Sequence, residues 1–134
     1  MKKLIFDSDL LIKKIQKKTG PVNKIVEQCL AGDWQPVISQ NVLKECVDLL
    51  GKKDVEPEWQ DVLEDYFAIA EIIKADYDIV EVKMNAASAK YIQCALASQA
   101  DYLVTEDKNL LKLQKFFRTE IVTPKDFLRM VKKK

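Results

Sequence analysis

Short apolar runs alternate along the chain with longer segments in which apolar residues recur every three or four positions. That alternation predicts an α/β fold built on a mainly parallel sheet. Leu4-Ile5-Phe6 reads as the first strand, and Asp9 to about Lys18 as a helix. Gly20-Pro21 breaks that helix before a second one that stops near Gly32. Pro36-Val37-Ile38 reads as the second strand, followed by a helix over Asn41–Leu50. The segment Pro57–Ala75 carries Trp59, Val62, Leu63, Tyr66, Phe67, Ala70 and Ile73 at helical spacing, which predicts the longest helix and a major core element. Ile79–Val82 gives a third strand, Asn85–Ser98 a helix and Tyr102–Val104 a fourth strand. A short helix after Asp107, an edge strand Glu120-Ile121-Val122 and a last helix starting at Pro124 complete the order. No repeat, low-complexity stretch or linker interrupts it, so residues 1–134 read as one domain.

Composition narrows the chemistry. An apolar fraction of 48% and a charged fraction of 32% are ordinary for a globular protein. No apolar stretch approaches the roughly 20 residues needed to span a bilayer. The opening MKKLIF turns acidic at Asp7 before a signal-like apolar region develops, so a cytoplasmic location is expected and no membrane partner. Cys29, Cys46 and Cys94 are far apart in apolar contexts, which predicts buried thiols rather than disulfides or a zinc site. The formal charge of +1 provides no overall field for nucleic acid, so such a partner needs a local basic patch.

Histidine is absent, with a count of 0. That excludes His-activated nucleophiles, His acid–base pairs and His-ligated zinc together. For a hydrolase, carboxylates and a hard cation are the remaining tools.

Three acids stand where such tools belong, since ligands of parallel sheets bind beyond the carboxyl ends of the strands. Asp7 directly follows Phe6, Glu45 lies within the helix after Ile38, and Asp107 opens the helix after Val104. Glu45 falls three residues after Val42 and four before Leu49, so it is expected on the inward stripe. Carboxylates converging there would repel one another, and a bound Mg²⁺ or Mn²⁺ resolves that. Each also has a plainer reading. Asp107 serves equally as a helix N-cap, Glu45 as a rim residue with its head in water, and Asp9 is by position a better cap than Asp7.

At these residues the sequence resembles the PIN domain, the fold of many metal-dependent ribonucleases, including VapC-type toxins of toxin–antitoxin pairs. Phe6-Asp7-Ser8-Asp9 matches the family's opening, and Ile38 to Glu45 matches the segment carrying its Glu. Ala100-Asp101-Tyr102-Leu103-Val104-Thr105-Glu106-Asp107-Lys108 is close to the family's ADYLVTxDK, and Val122 to Leu128 fits its ending. The resemblance implies a three-layer α/β/α, PIN-like fold with four to five strands. It implies metal-dependent endoribonuclease activity, with Asp7, Glu45 and Asp107 holding Mg²⁺ or Mn²⁺ and Ser8 and Thr105 as supporting hydroxyls, although turn chemistry explains those two equally. RNA would be the substrate, and an antitoxin protein and a homodimer the candidate partners.

The chain departs from the family at Ser88, where an Asp is expected, with Asn85 at the position of a loop acid. Ser88 faces inward by its spacing to Tyr91 and Ile92 but brings no charge. Asp9 and Glu106 could restore it, or be a helix cap and a solvated turn residue. Lys13, Lys14, Lys17 and Lys18 form an i, i+1, i+4, i+5 stripe on the first helix, suited to phosphates or to plain solvent exposure. Tyr66 and Tyr91 stand at core spacing. Two rivals remain. One is a PIN-like binding or regulatory module whose site has decayed at Ser88. The other is a haloacid-dehalogenase-type phosphatase with Asp7 as covalent nucleophile, although Leu11 stands where that family carries Thr or Val.

Overall fold

Leu4, Ile5 and Phe6 are all buried, as consecutive residues are only in a strand covered on both faces. They form the end of β1 (Lys2–Phe6) at the centre of the sheet in a computed structural model that describes residues 1–52, 54–74 and 85–132. α1 (Ser8–Lys14) and α2 (Pro21–Leu30) lead to β2 (Trp34–Ser39), and α3 (Gln40–Leu50) and α4 (Pro57–Ile69) lead to β3 (Glu71–Ile73). α5 (Ala86–Ser98) precedes β4 (Tyr102–Val104) and α6 (Lys108–Leu111). The chain ends with β5 (Lys115–Phe116), β6 (Thr119–Val122) and α7 (Pro124–Val131).

The six strands run in the order β3-β2-β1-β4-β6-β5, all neighbours parallel except the β5–β6 hairpin. From β1 the chain moves outward on one side through β2 and β3, then returns to the other side as β4. β1 and β4 therefore flank the point where strand order reverses, the place where open α/β sheets bind ligands. This mainly parallel α/β architecture is the one expected from the sequence, with six strands in place of four to five because the chain adds the short β5 hairpin strand at one edge.

Three elements differ from expectation. The helix expected over 57–75 stops at Ile69: Ala70 turns extended at φ −71° and ψ 141°, and Glu71-Ile72-Ile73 pairs with Val37, Ile38 and Ser39 instead. The β-branched pair Ile72-Ile73 suits a strand, and the free edge of β2 supplies backbone partners that a helix end would lack. The strand expected at Ile79–Val82 lies outside the described residues. Next, α1 ends at Lys14, so Lys17 and Lys18 lie in the following turns, not on a helical stripe. The Lys17 and Gly20 N–H groups donate to the Lys14 and Lys17 carbonyls at 3.1 and 2.9 Å, and the buried Asn23 amide donates to the Ile15 carbonyl at 2.9 Å, closing the end of α1. Finally, β6 is not an edge, because β5 folds back and pairs outside it.

The core runs along both faces of the sheet. Phe127 of α7 is fully buried edge-on against Trp34 and Tyr102, with centroids 4.9 and 5.0 Å away. Burial pushes the three free thiols up, Cys29 and Cys94 to about 12 and Cys46 to about 11, so they stay protonated. Asp101 ties β1 to the hairpin, accepting from the Lys3 N–H at 2.9 Å and from Arg118 at 2.8 Å. Partial burial opposes its ionisation, but those donors win and hold the carboxyl below the usual range.

Leu103 is fully buried in β4, so Leu103→Ala is expected to cost about 2–5 kcal/mol in urea denaturation. For Asp101, a lowered folded value means stabilisation that is full above the unfolded carboxyl value near about 4 and drains as pH falls through the folded one. The stability gap between wild type and Asp101→Asn should therefore shrink progressively in acid, read by denaturation across a pH series.

Candidate active site at the carboxyl end of the sheet

Asp7 is held by its surroundings before any ligand arrives. Its N–H donates to the Val104 carbonyl at 2.9 Å, carrying the β1–β4 pairing one residue past the end of β1. The side chain caps α1: Oδ1 accepts from the Asp9 N–H at 3.1 Å. The cap is thus Asp7 and not Asp9, which stands exposed in the first turn, because the extended backbone of Asp7 (ψ 117°) is what a capping residue needs. Oδ2 accepts from the Thr105 hydroxyl at 2.8 Å, and Oδ1 also accepts from the Tyr91 hydroxyl at 3.3 Å.

Thr105 is fully buried, and its hydroxyl works in both directions. It donates to Asp7 and accepts from the Asp107 N–H at 3.0 Å. Asp107 caps α6 through the Asn109 N–H at 2.9 Å, and its second oxygen accepts from the Ser88 hydroxyl at 2.8 Å. Asp107 is therefore both a cap and a member of this cluster. Ser88 is buried on α5, its N–H donating to the Asn85 side chain at 2.9 Å, so Asn85 acts as the N-cap of that helix.

Glu45 does not aim inward. The buried stripe of α3 is Val42 and Cys46 with Leu49 half-buried, and Glu45 falls beside it with a side chain 47% exposed. A carboxylate at that flank is cheaply solvated, and here it pairs with the ammonium of Lys90, which also lies 5.2 Å from the Tyr91 ring centre. The structure thus brings Asp7 and Asp107 together through Thr105 and leaves Glu45 with a lysine. Among the described residues, no three His, Cys, Asp or Glu side chains stand close enough to share an ion.

Tyr91 stands at core spacing in the sequence and Lys90 carries no signal there, yet both side chains reach the acids. Tyr91 is indeed 3% exposed, yet its hydroxyl accepts from the Ser8 N–H at 3.0 Å, lies 2.7 Å from the Ser8 hydroxyl and reaches Asp7. Burial, reinforced by the Asp7 charge, pushes this phenol well up, against a smaller pull from its Ser8 hydrogen bonds, so it remains a donor. The available signal was the i, i+3 relation of Ser88 and Tyr91, which puts both on one face of α5. Nothing in the linear pattern joins Lys90 to Glu45.

The remaining sequence candidates sit at the rim. Ser8 is buried against Tyr91, whereas Glu106 is exposed beside Asp107. Lys14 and Lys17 line a recess with Glu106, while Lys13 is exposed outside it.

The donor set suits a hard cation. Asp7 and Asp107 contact no cationic side chain among the described residues, and each carboxylate oxygen that accepts one or two hydrogen bonds here is the ligand type such ions take. Mg²⁺ commonly binds through only one or two carboxylates, keeping several waters and relying on substrate phosphates for the rest. The residues present fit that mode, and they do not form an all-protein cage.

No curated protein matches the chain in sequence. Among solved structures, it is similar to VapBC2 from Rickettsia felis bound to a DNA fragment from its promoter, with a TM-score of 0.60 and 17% identity over 89% of this chain and 96% of that one. At that identity the likeness is one of fold. No helix among the described residues is long and apolar enough to cross a membrane. A PIN domain family model matches residues 3–109, most of the chain and every acid discussed above, and the chain therefore belongs to the PIN domain family.

Proposed function

We propose that the protein is a metal-dependent endoribonuclease that hydrolyses RNA phosphodiester bonds. The observation that carries this reading is the bracing of Asp7 and Asp107 on one buried hydroxyl at the switch point of the sheet. In it, Asp7 and Asp107 would hold Mg²⁺ or Mn²⁺, with Glu45 contributing once parted from Lys90. Such a cation, when bound, supplies Lewis-acid polarisation of the phosphate and activation of water.

The protein's own part is positioning. Thr105 and Tyr91 fix the Asp7 carboxylate from two directions, and Ser88 fixes Asp107, so neither acid has to reorganise as charge develops. Ser8 holds the Tyr91 hydroxyl, and Asp9 adds negative charge at the rim. Asp7 as a phosphatase nucleophile fits less well, because three donors already converge on its carboxylate. The similarity to VapBC2 supports an antitoxin-like protein as a candidate partner.

One pair of observations favours a second reading, a binding or regulatory PIN module. Ser88 stands where an acid would add charge, and Lys90 neutralises Glu45.

Cleavage of single-stranded RNA in Mn²⁺, abolished by chelation and restored by added metal, is the expected behaviour of the wild type. Asp7→Asn should lower the rate about 100-fold or more, the scale for losing a group that stabilises developing charge. Thr105→Val keeps both carboxylates and should lower it about 10- to 100-fold, as removal of a ligand-orienting partner does. No cleavage by wild type under these conditions would refute the nuclease reading.

Mn²⁺ binding, measured by calorimetry without RNA, separates the two readings. Ser88→Asp and Lys90→Met should each tighten it several-fold, by adding a charge and by freeing Glu45. A wild type that neither binds Mn²⁺ nor cleaves, beside a Ser88→Asp variant that does both, would establish the second reading.

A further inference from the structure

Net charge conceals a strong asymmetry. A recess of about 230 Å³ opens beside the acidic site and a second of about 420 Å³ adjoins it, both lined by Pro21 and Lys125. The smaller begins at Glu106, the neighbour of Asp107, and is walled by Lys14, Lys17 and Lys125. The larger continues between α2 and α7, walled by Lys24, Lys125, Arg129 and Lys132. Together they bring six cations into one continuous depression against a single lining acid, Glu106, in a protein whose formal charge is only +1. Among the described residues, only Arg129 of these six forms an ion pair, an exposed one with Asp126 at 3.5 Å.

The depression follows from local structure. α1 ends at Lys14, and the turn that follows puts Lys17 on the wall of the smaller recess with Lys14 at the end of α1 and Lys125 of α7. α2 then starts on Gly20, which has no side chain to cap its first N–H groups, so the positive end of that helix adds to the same field. Pro21, Val22 and Leu128 give the floor an apolar character on which ribose and base edges can rest.

We infer that this depression is the binding track for the sugar–phosphate backbone of single-stranded RNA, leading it to the strand-end carboxylates. The identity of the ligand rests on the nuclease reading above; the existence of a polyanion site does not. A concave recess disfavours a flat lipid surface. An acidic peptide meets the Glu106 carboxylate at one end and brings no ribose or base to rest on the apolar lining of Pro21, Val22 and Leu128.

The test uses fluorescence anisotropy of a short labelled single-stranded RNA, in EDTA so that binding is read without cleavage, across a NaCl series. Wild type should bind with steep salt dependence. Neutralising two exposed cations in Lys125→Gln/Arg129→Gln should weaken binding about tenfold at low salt and flatten the log–log slope by about 1.4, at about 0.7 per lost phosphate contact on a single strand. Lys44→Gln/Lys52→Gln, which line neither recess, should change neither quantity. Equal losses in both double variants, absence of RNA binding by wild type, or displacement of the RNA by an equally charged polyglutamate peptide would each overturn the track. The same proteins in Mn²⁺ separate this proposal from the nuclease reading. RNA held through Lys125 and Arg129 but never cleaved by wild type leaves the track standing and removes the enzyme. Cleavage by the Lys125→Gln/Arg129→Gln variant with wild-type KM does the reverse.

Discussion

The buried hydroxyl of Thr105 is the point on which the rest of the site depends. It has one proton to donate and lone pairs to accept with, and both are spent: the proton on Asp7, a lone pair on the Asp107 N–H. Its own N–H donates to the Val122 carbonyl at 2.9 Å, extending the β4–β6 pairing as Asp7 extends β1–β4. Three adjacent strands are thereby laced together at their carboxyl ends by the residues that follow β1 and β4. Loops elsewhere on a sheet can drift; here the backbone of the site is an extension of the sheet itself. The two carboxylates inherit the rigidity of the core without lying in it.

Capping explains why acids occupy these positions at all. A chain leaving a parallel strand and entering a helix needs an acceptor for the first free N–H groups, and Asp satisfies that need at Asp7 and Asp107 alike. Structural and chemical roles are therefore not rivals at these two residues. Each carboxylate is oriented by the helix it caps and at the same time belongs to the hydrogen-bonded cluster at the strand ends. The functional arrangement grows out of ordinary strand–turn–helix chemistry repeated on neighbouring strands.

How much of this was legible in the sequence depends on which kind of force placed each residue. Local signals read well: the apolar runs at Leu4–Phe6 and Tyr102–Val104, the break at Gly20-Pro21 and the start of α7 at Pro124 all depend on short-range sterics and burial. β3 was misread because Ile72 and Ile73 continue the apolar spacing of α4, and only the open edge of β2 decides that they pair as a strand. Asp7 and Asp107 were visible because strand ends are visible. Glu45 was misplaced because the i, i+3, i+4 rule fixes a helix face only to within a residue's width, and Cys46 took the buried direction. Lys90 and Tyr91 escaped notice for a different reason: their partners lie 45 and 84 residues away, and no local rule reports such contacts.

The seating of Phe127 has a bearing on how this molecule can be altered. Its ring is wedged edge-on between Trp34 and Tyr102, so α7 is riveted to the reverse of the sheet by the same turn that carries Lys125 and Arg129. Trimming the chain back past that ring would open a hole behind β2 and β4 as well as strip away positive charge. Exposed charges on this helix can be changed without disturbing the fold, but the helix itself is not a detachable arm.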